Sequence, residues 1–369
     1  MDQDLSSSIK STYFTILGAA LRRAGSDERA NEAIALARVH LSSTTDHAVQ
    51  AEFEYYEGLH AWGARRLVDA EIHARAAFCP GTMTHGRALE LLGLIASSRA
   101  DFSKQVSLLR EALAHVSGLP ERDIGHEASL LVNLGVLIPE LHLPDVFLET
   151  ARYTNEFPWT DELAAQRFVV LRGLGWCEAI AGNQLGSFRY LREASDTAKS
   201  PILRLEALLN RAFLAREVGE RAMAADELDC AERLSSQIRW TSTFGEERYA
   251  LLLLAEVAAD ADGERASRYL ETYRTIERPV DLILVGRADR RVIAAEQQAF
   301  GIVAMANGKA DEARERLSSA FEIYDSVGYA WRAVYVARRL YELTGEQRYI
   351  KYAREQVKNF PASWLAKTL

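Results

Sequence analysis

Residues 300–321, FGIVAMANGKADEARERLSSAF, set small side chains at Gly301, Ala304, Ala313 and Ala320, with Gly308 between two runs rich in helix formers. The pair Gly308-Lys309 resembles the end of a phosphate-cradling loop. The stretch lacks that loop's first glycine and its closing Ser or Thr, and no strand-like run precedes it. Its chemistry is that of two helices joined by a tight turn. Taking Gly301 as an anchor, Phe300 lies one before it, Ala304 three after, Gly308 seven, Ala313 twelve, Leu317 sixteen and Ala320 nineteen after.

The same offsets recur along the chain. Around Gly18 they give Leu17, Leu21, Gly25, Ala30, Ile34 and Ala37. Further anchors fall at Gly58, Gly93, Gly135, Gly175 and Ala212, with weaker copies at Ala255 and Ala337, and successive anchors lie 35 to 46 residues apart. Small residues at the anchor and twelve later let paired helices approach closely, and larger apolar residues fill the remaining volume. One such pair cannot bury its apolar stripe alone, so neighbouring pairs must stack. The expected fold is therefore all-α, a right-handed superhelical solenoid of about nine helix-turn-helix hairpins with a concave face. It is read as a single run over residues 1–369 with a capping tail at 357–369. The prolines act as punctuation: Pro80, Pro120, Pro158, Pro201 and Pro279 between units, Pro139 and Pro144 around the turn of the fourth, Pro361 in the tail.

This pattern resembles the tetratricopeptide repeat family, in which a small residue in the first helix is followed by Ala twelve later, an aromatic or Leu sixteen later and Ala nineteen later. It departs from that family in unit length and in lacking the usual proline after most second helices. The C-terminal segment 326–369, rich in aromatic residues and Arg, is similar to the end of the repeat region of bacterial LuxR-type transcriptional regulators. That resemblance implies a sensor role ahead of a DNA-binding domain, although no helix-turn-helix of that kind is visible at either end of the sequence.

Composition narrows the function classes. A net charge of −8 and a pI near 5.6 disfavour direct binding to a phosphate backbone. Cys79, Cys177 and Cys230 are far apart with no CxxC spacing, which suits a reducing compartment, with the cytoplasm as the expectation. The start is acidic, unlike a secretory signal, and the most apolar run, YALLLLAEVAA at 249–259, is too short to cross a bilayer.

Motifs for catalysis are lacking. All eight His fall between His40 and His142, yet no pair has the spacing of a helix-face metal motif, so no metal site and no cofactor are expected. Acidic pairs such as Asp27-Glu28, Asp161-Glu162 and Asp311-Glu312 suit helix starts, where they meet the positive end of the macrodipole. With nothing nucleophilic recurring at catalytic spacing, the expectation is a protein that is not an enzyme.

The candidate binding face lies on the first helix of each unit, at positions six before, two or three before and one after the anchor. It carries Glu52, Tyr55, Tyr56, Glu90, Asn133, Arg172, Trp176, Asn210 and Phe213, and continues through Tyr249, Glu256, Gln298, Trp331, Tyr335 and Arg338. Asn133 and Asn210 stand two before their anchors in Leu- and Ala-rich helices, where Asn costs about 0.5 kcal/mol relative to Ala. A side-chain amide donates and accepts, as clamping an extended peptide backbone requires. The resemblance implies that role for both. Arg172 would hold a carboxylate and Trp176 and Phe213 apolar side chains. The several Lys of the family's chaperone-tail clamp are missing, so chaperone tails are not the expected ligand. The expected function is non-catalytic binding of a peptide or protein in regulation or signalling, without a membrane. The alternative is an assembly scaffold that oligomerises through its C-terminal end.

Overall fold

A computed structural model describes residues 6–24, 26–240, 245–276 and 287–369. The turn residue Gly25 and the proline Pro279 lie outside the described residues. Within them the regular structure is helical, in the order α1 (Ser7–Arg23), α2 (Asp27–Leu41), α3 (His47–Gly63), α4 (Leu67–Ala76), α5 (Met83–Ser98), α6 (Phe102–Ser117), α7 (Ile124–Leu141), α8 (Pro144–Glu156), α9 (Ala164–Ile180) and α10 (Gln184–Thr197). There follow α11 (Pro201–Glu217), α12 (Arg221–Ser235), α13 (Gly245–Ala259), α14 (Gly263–Thr275), α15 (Arg287–Ala306), α16 (Ala310–Ser326), α17 (Ala330–Thr344), α18 (Gln347–Gln356) and the short α19 (Trp364–Lys367).

The anchors named from the sequence sit in the odd-numbered helices, from Gly18 in α1 to Ala337 in α17, and eight of the nine lie in the first helix of a packed hairpin. At Gly18, Gly175 and Gly301 the reason for a small side chain is contact with the residue sixteen later. A Cβ on Gly301 would lie 2.7 Å from Leu317 Cγ, and one on Gly18 would lie 2.7 Å from Ile34 Cδ1. After six of the anchors the chain reverses at the seventh residue. Gly182, Gly219 and Gly308 take φ of 85°, 86° and 70° there, and Arg65, Ala100 and His142 adopt the same left-handed conformation at 62°, 64° and 51°. Only glycine does so without steric cost.

Caps follow local chemistry. Asp46, Asp101 and Asp262 accept backbone N–H bonds at the starts of α3, α6 and α14, and Ser200 caps α11 ahead of Pro201. Asp27, Asp311 and Glu312 lie in first turns, and Asp161 and Glu162 open the 3₁₀ turn Asp161–Leu163. Pro139 lies inside α7 rather than in the turn after it. It lacks the N–H that would bond the Gly135 carbonyl. That carbonyl abuts Gly173 of α9, where a Cβ would come within 2.0 Å of it.

The chain divides into two compact units, Met1–Leu130 and Leu131–Leu369, with the division inside α7. In the first, α1/α2, α3/α4 and α5/α6 form hairpins, and α3 packs on α1 and α5 on α3. In the second, α9/α10, α11/α12, α13/α14, α15/α16 and α17/α18 form hairpins, and α11, α13 and α15 follow α9 in the same manner. The core of the second unit runs through these first helices, with Leu209, Leu214, Leu251, Leu254 and Val334 fully buried. Its last hairpin departs from the stack: α17 barely touches α15 and reaches back to α7, α9, α11 and α13 through side chains. The tail closes over this end, burying Phe360, Trp364 and Leu365.

Candidate functional site

In the second unit the predicted binding face of α9, α11, α13 and α15 is met from the opposite side by α17. Trp331 stacks on Trp176 with ring centroids 4.9 Å apart and planes 18° apart, and Trp364 tilts against both. Tyr335 lies 5.3 Å from the Phe213 ring, and its hydroxyl donates to Glu256 Oε1 at 2.9 Å while accepting from Arg216 at 3.0 Å. These pairs occur because residues four apart on α17 share one face, so Trp331 and Tyr335 approach the older helices together while Val336 and Leu340 are buried in the core.

Ion pairs complete the contact. Arg332 Nε donates to both Glu140 oxygens at 2.9 and 3.0 Å. Glu217 accepts from Arg338, from Arg339 at 3.1 Å and from Arg216. Burial works against the Glu217 charge, and Arg216, Arg338 and Arg339 together outweigh it, holding the carboxyl below its usual range. Burial has the upper hand at Glu256 and pushes its carboxyl up, despite Arg216 and bonds from Gln298 and Tyr335.

The sequence-predicted residues have distinct fates. Asn210 is 1% exposed; its Oδ1 accepts from Trp176 Nε1 at 2.8 Å and its Nδ2 donates to the Glu206 carbonyl at 2.7 Å. It therefore ties α9 to α11. Arg172 pairs with Glu206, and Asn133 on α7 is half-buried and already engaged. Phe213 and Trp176 are core residues beneath α17. Tyr249 is half-buried, and Gln298 donates from Nε2 to Glu256 Oε2 at 2.8 Å. In the first unit Tyr55 and Tyr56 are half-buried and touch each other edge to face at 5.3 Å.

What the meeting faces leave open is a small, partly open pocket lined by Trp176, Asn210, Phe213, Tyr249, Leu252, Leu253, Glu256, Ala295, Gln298, Trp331 and Arg332. Seven of these lie on the face predicted from the anchors, and Arg332 adjoins it. Two buried polar atoms of the lining, Gln298 Oε1 and Trp331 Nε1, find no hydrogen-bond partner among the described residues.

Several groups escaped the sequence reading. Glu140, Glu217 and Asp260 each stand five after an anchor, a recurrence that would have flagged the acids facing Arg332, Arg338 and Arg339. In the first unit, histidines treated as scattered converge: the His85 and His115 rings lie 4.6 Å apart, and His126 Nε2 is 2.9 Å from Glu90 Oε2. Burial and then the neighbouring His115 hold the His85 imidazole below its usual range. No group of three or more His, Cys, Asp or Glu among the described residues is arranged to hold a metal ion. No helix among them is long and apolar enough to cross a membrane.

Among the described residues the chain is thus an all-α array of stacked helical hairpins. Among solved structures it is similar to that entitled Crystal Structure of Rap Protein Complexed with Competence and Sporulation Factor. The two share 12% sequence identity over 95% of this chain and 99% of that one, with a TM-score of 0.47. No family model and no curated protein matches the sequence.

Proposed function

We propose that this chain is a non-catalytic regulatory module that binds a peptide segment, and that the pocket between α9, α11, α13, α15 and α17 receives it. The observation that carries the reading is the orphaned pair in the pocket wall, Trp331 Nε1 as donor and Gln298 Oε1 as acceptor. Buried polar atoms without partners call for a missing group, and a peptide unit brings one acceptor and one donor. Trp176, Phe213, Leu252 and Leu253 offer an apolar wall for one side chain beside it. The Asn210 amide serves this site by fixing Trp176, while Tyr249 and Arg332 stand among the polar lining groups. Tyr55 and Tyr56 provide a second, more open face in the first unit. The similarity of the C-terminal segment to LuxR-type regulators supports a place in bacterial signalling, in the cytoplasm, as the sensing part of a transcriptional regulator.

Selection of linear heptapeptides on the purified chain tests the reading. The expected consensus peptides quench or shift the emission of the Trp176–Trp331 stack, and Leu253→Trp, which fills the pocket, weakens them by about tenfold or more, equivalent to about 1.4 kcal/mol. Tyr56→Ala leaves that affinity unchanged. Failure to enrich any peptide, or enriched peptides indifferent to Leu253→Trp, overturns it.

A further inference from the structure

The two oxygens of Glu256 on α13, a buried acid of the pocket lining, are held by different partners. Oε1 accepts from the Tyr335 hydroxyl at 2.9 Å, and the oxygen of that hydroxyl accepts in turn from Arg216 at 3.0 Å. Oε2 accepts from Gln298 Nε2 at 2.8 Å, while Gln298 Oε1 is buried without a partner among the described residues. Both residues line the pocket, so the free half of the amide belongs to its wall.

A second arrangement fits the same atoms. A side-chain amide given a half-turn about its last bond fills the same space with oxygen and nitrogen exchanged. An ionised carboxylate only accepts, so Gln298 must turn its NH2 to Glu256 and its oxygen away. A protonated acid has an O–H to give. Oε2 carries that proton, because Oε1 keeps its bond from Tyr335, whose oxygen is already met by Arg216. The Gln298 oxygen then turns in to accept the O–H, and the NH2 becomes the free group. Burial favours this second form and pushes the Glu256 carboxyl up, against the charge of Arg216 from α11, the bonds from Gln298 on α15 and Tyr335 on α17, and the charge of Arg339 on α17. Tyr324 of α16 lies in the same field. Both guanidiniums are shared with Glu217 and Asp260, which dilutes their hold on Glu256.

We infer, on the reading of this pocket as the ligand site, that Glu256 and Gln298 set the hydrogen-bonding class of the ligand through one proton: with the acid ionised the pocket takes a neutral N–H donor, and with the acid protonated it takes a C=O acceptor. The donor is neutral because cations of the chain already cover the ring faces that would hold one. The Arg332 guanidinium lies 4.5 Å from the Trp331 ring centroid and that of Arg216 lies 4.9 Å from the Phe213 centroid. Donor binding therefore releases a proton, and its affinity rises with pH through the titration of Glu256. Acceptor binding takes a proton up and weakens over the same interval. A peptide unit held by its N–H on Gln298 Oε1 uses the ionised form, so peptide binding strengthens as pH rises.

Heteronuclear NMR of the full chain follows the Gln298 side-chain amide, identified by its loss in Gln298→Met, between about pH 4.5 and 8.5, a span that covers raised carboxyls. The amide resonances are expected to shift with a midpoint above the ordinary carboxylate range, and Glu256→Gln, which keeps the acid's shape without its charge, abolishes that shift. Two neutral probes then read selection through the same resonances: pyrrole, which only donates, and N,N-dimethylacetamide, which only accepts. Between the two ends of the range pyrrole should gain, and dimethylacetamide lose, about threefold to tenfold in affinity, the worth of one neutral hydrogen bond. In Glu256→Gln neither should depend on pH. Amide resonances unchanged across the range, the same transition in Glu256→Gln, or two probes that respond to pH in one direction overturns the inference. None of these measurements uses a peptide. Opposite pH responses after a failed peptide selection reject the peptide reading alone, and enriched peptides beside a pH-silent amide reject the proton-set selection alone.

Discussion

Two helix faces built on one register end in different environments. Tyr55 and Tyr56, two or three before the Gly58 anchor, remain half-exposed in the first unit, and Trp62 one turn further on reaches Ser98. Asn210, two before Ala212, and Phe213, one after it on the same helix face, are almost fully buried in the second unit. Tyr56 and Asn210 share the same offset from their anchors, and Tyr55 and Phe213 are aromatic residues four positions apart in register on the same helix face. What separates the faces is α17, which lies across the second and brings Trp331, Arg332, Tyr335, Arg338 and Arg339 against it. A face on a helical hairpin is set locally, whereas its burial depends on a hairpin more than a hundred residues away.

The contrast should be sharpest in the ion pairs. Glu217→Ala strands three guanidiniums in a buried site and should cost roughly 3–5 kcal/mol in urea denaturation. Glu71→Ala in the first unit also removes a doubly paired acid, whose carboxyl is held near a pKa of about 2 by hydrogen bonds from Arg75 and Arg99. Its partners are solvent-exposed, so the loss should stay below about 1 kcal/mol. Equal losses would mean that α17 closes the second unit less tightly than its geometry indicates.

Anchor glycines give the next step down. Gly301→Ala pushes a Cβ to 2.7 Å from Leu317 and 3.1 Å from its backbone nitrogen, and should destabilise by about 1–3 kcal/mol. Gly93→Ala in the first unit meets nothing closer than 3.7 Å and gains helix propensity, so it should be neutral or stabilising by up to about 1 kcal/mol. Thermal melts of the two variants report opposite signs if the close approach is what the anchor serves.

The smallest effect concerns the turns. Arg65 and Ala100 take left-handed backbone where Gly182, Gly219 and Gly308 do so in the second unit. Ala100→Gly should relieve strain and raise stability by about 1 kcal/mol, measurable as a higher urea midpoint at constant slope. A loss of stability would show that the entropy of the added glycine dominates.

The hairpins were legible because their cause is local: a small anchor, a left-handed turn seven residues on, and an apolar partner at sixteen. The candidate face was legible for the same reason, and Trp176, Asn210, Phe213, Tyr249, Glu256, Gln298 and Trp331 do gather around one pocket. Their partners were not. Trp331, Tyr335 and Arg338 were placed on the same face as Trp176 and Phe213, and periodicity cannot say that two stretches of one face look at each other. Asn210 illustrates the result: its position suggested a clamp, while its hydrogen bonds go to Trp176 and the Glu206 carbonyl. Pro139 was assigned to a turn because proline breaks helices, yet it sits within α7, where the carbonyl it leaves unbonded lies against Gly173.

The left-handed reversal seven residues after six of the anchors has a consequence for how such a chain can change length. Between anchor and closing partner the count is rigid, since one added residue would rotate Leu317 away from Gly301 by about 100° of helix. Between one hairpin and the next, intervals of 35 to 46 residues coexist in a single molecule. Insertions, fused tags and permuted termini should therefore be accommodated at junctions such as 157–160 and 198–200, and rejected within the hairpins they separate.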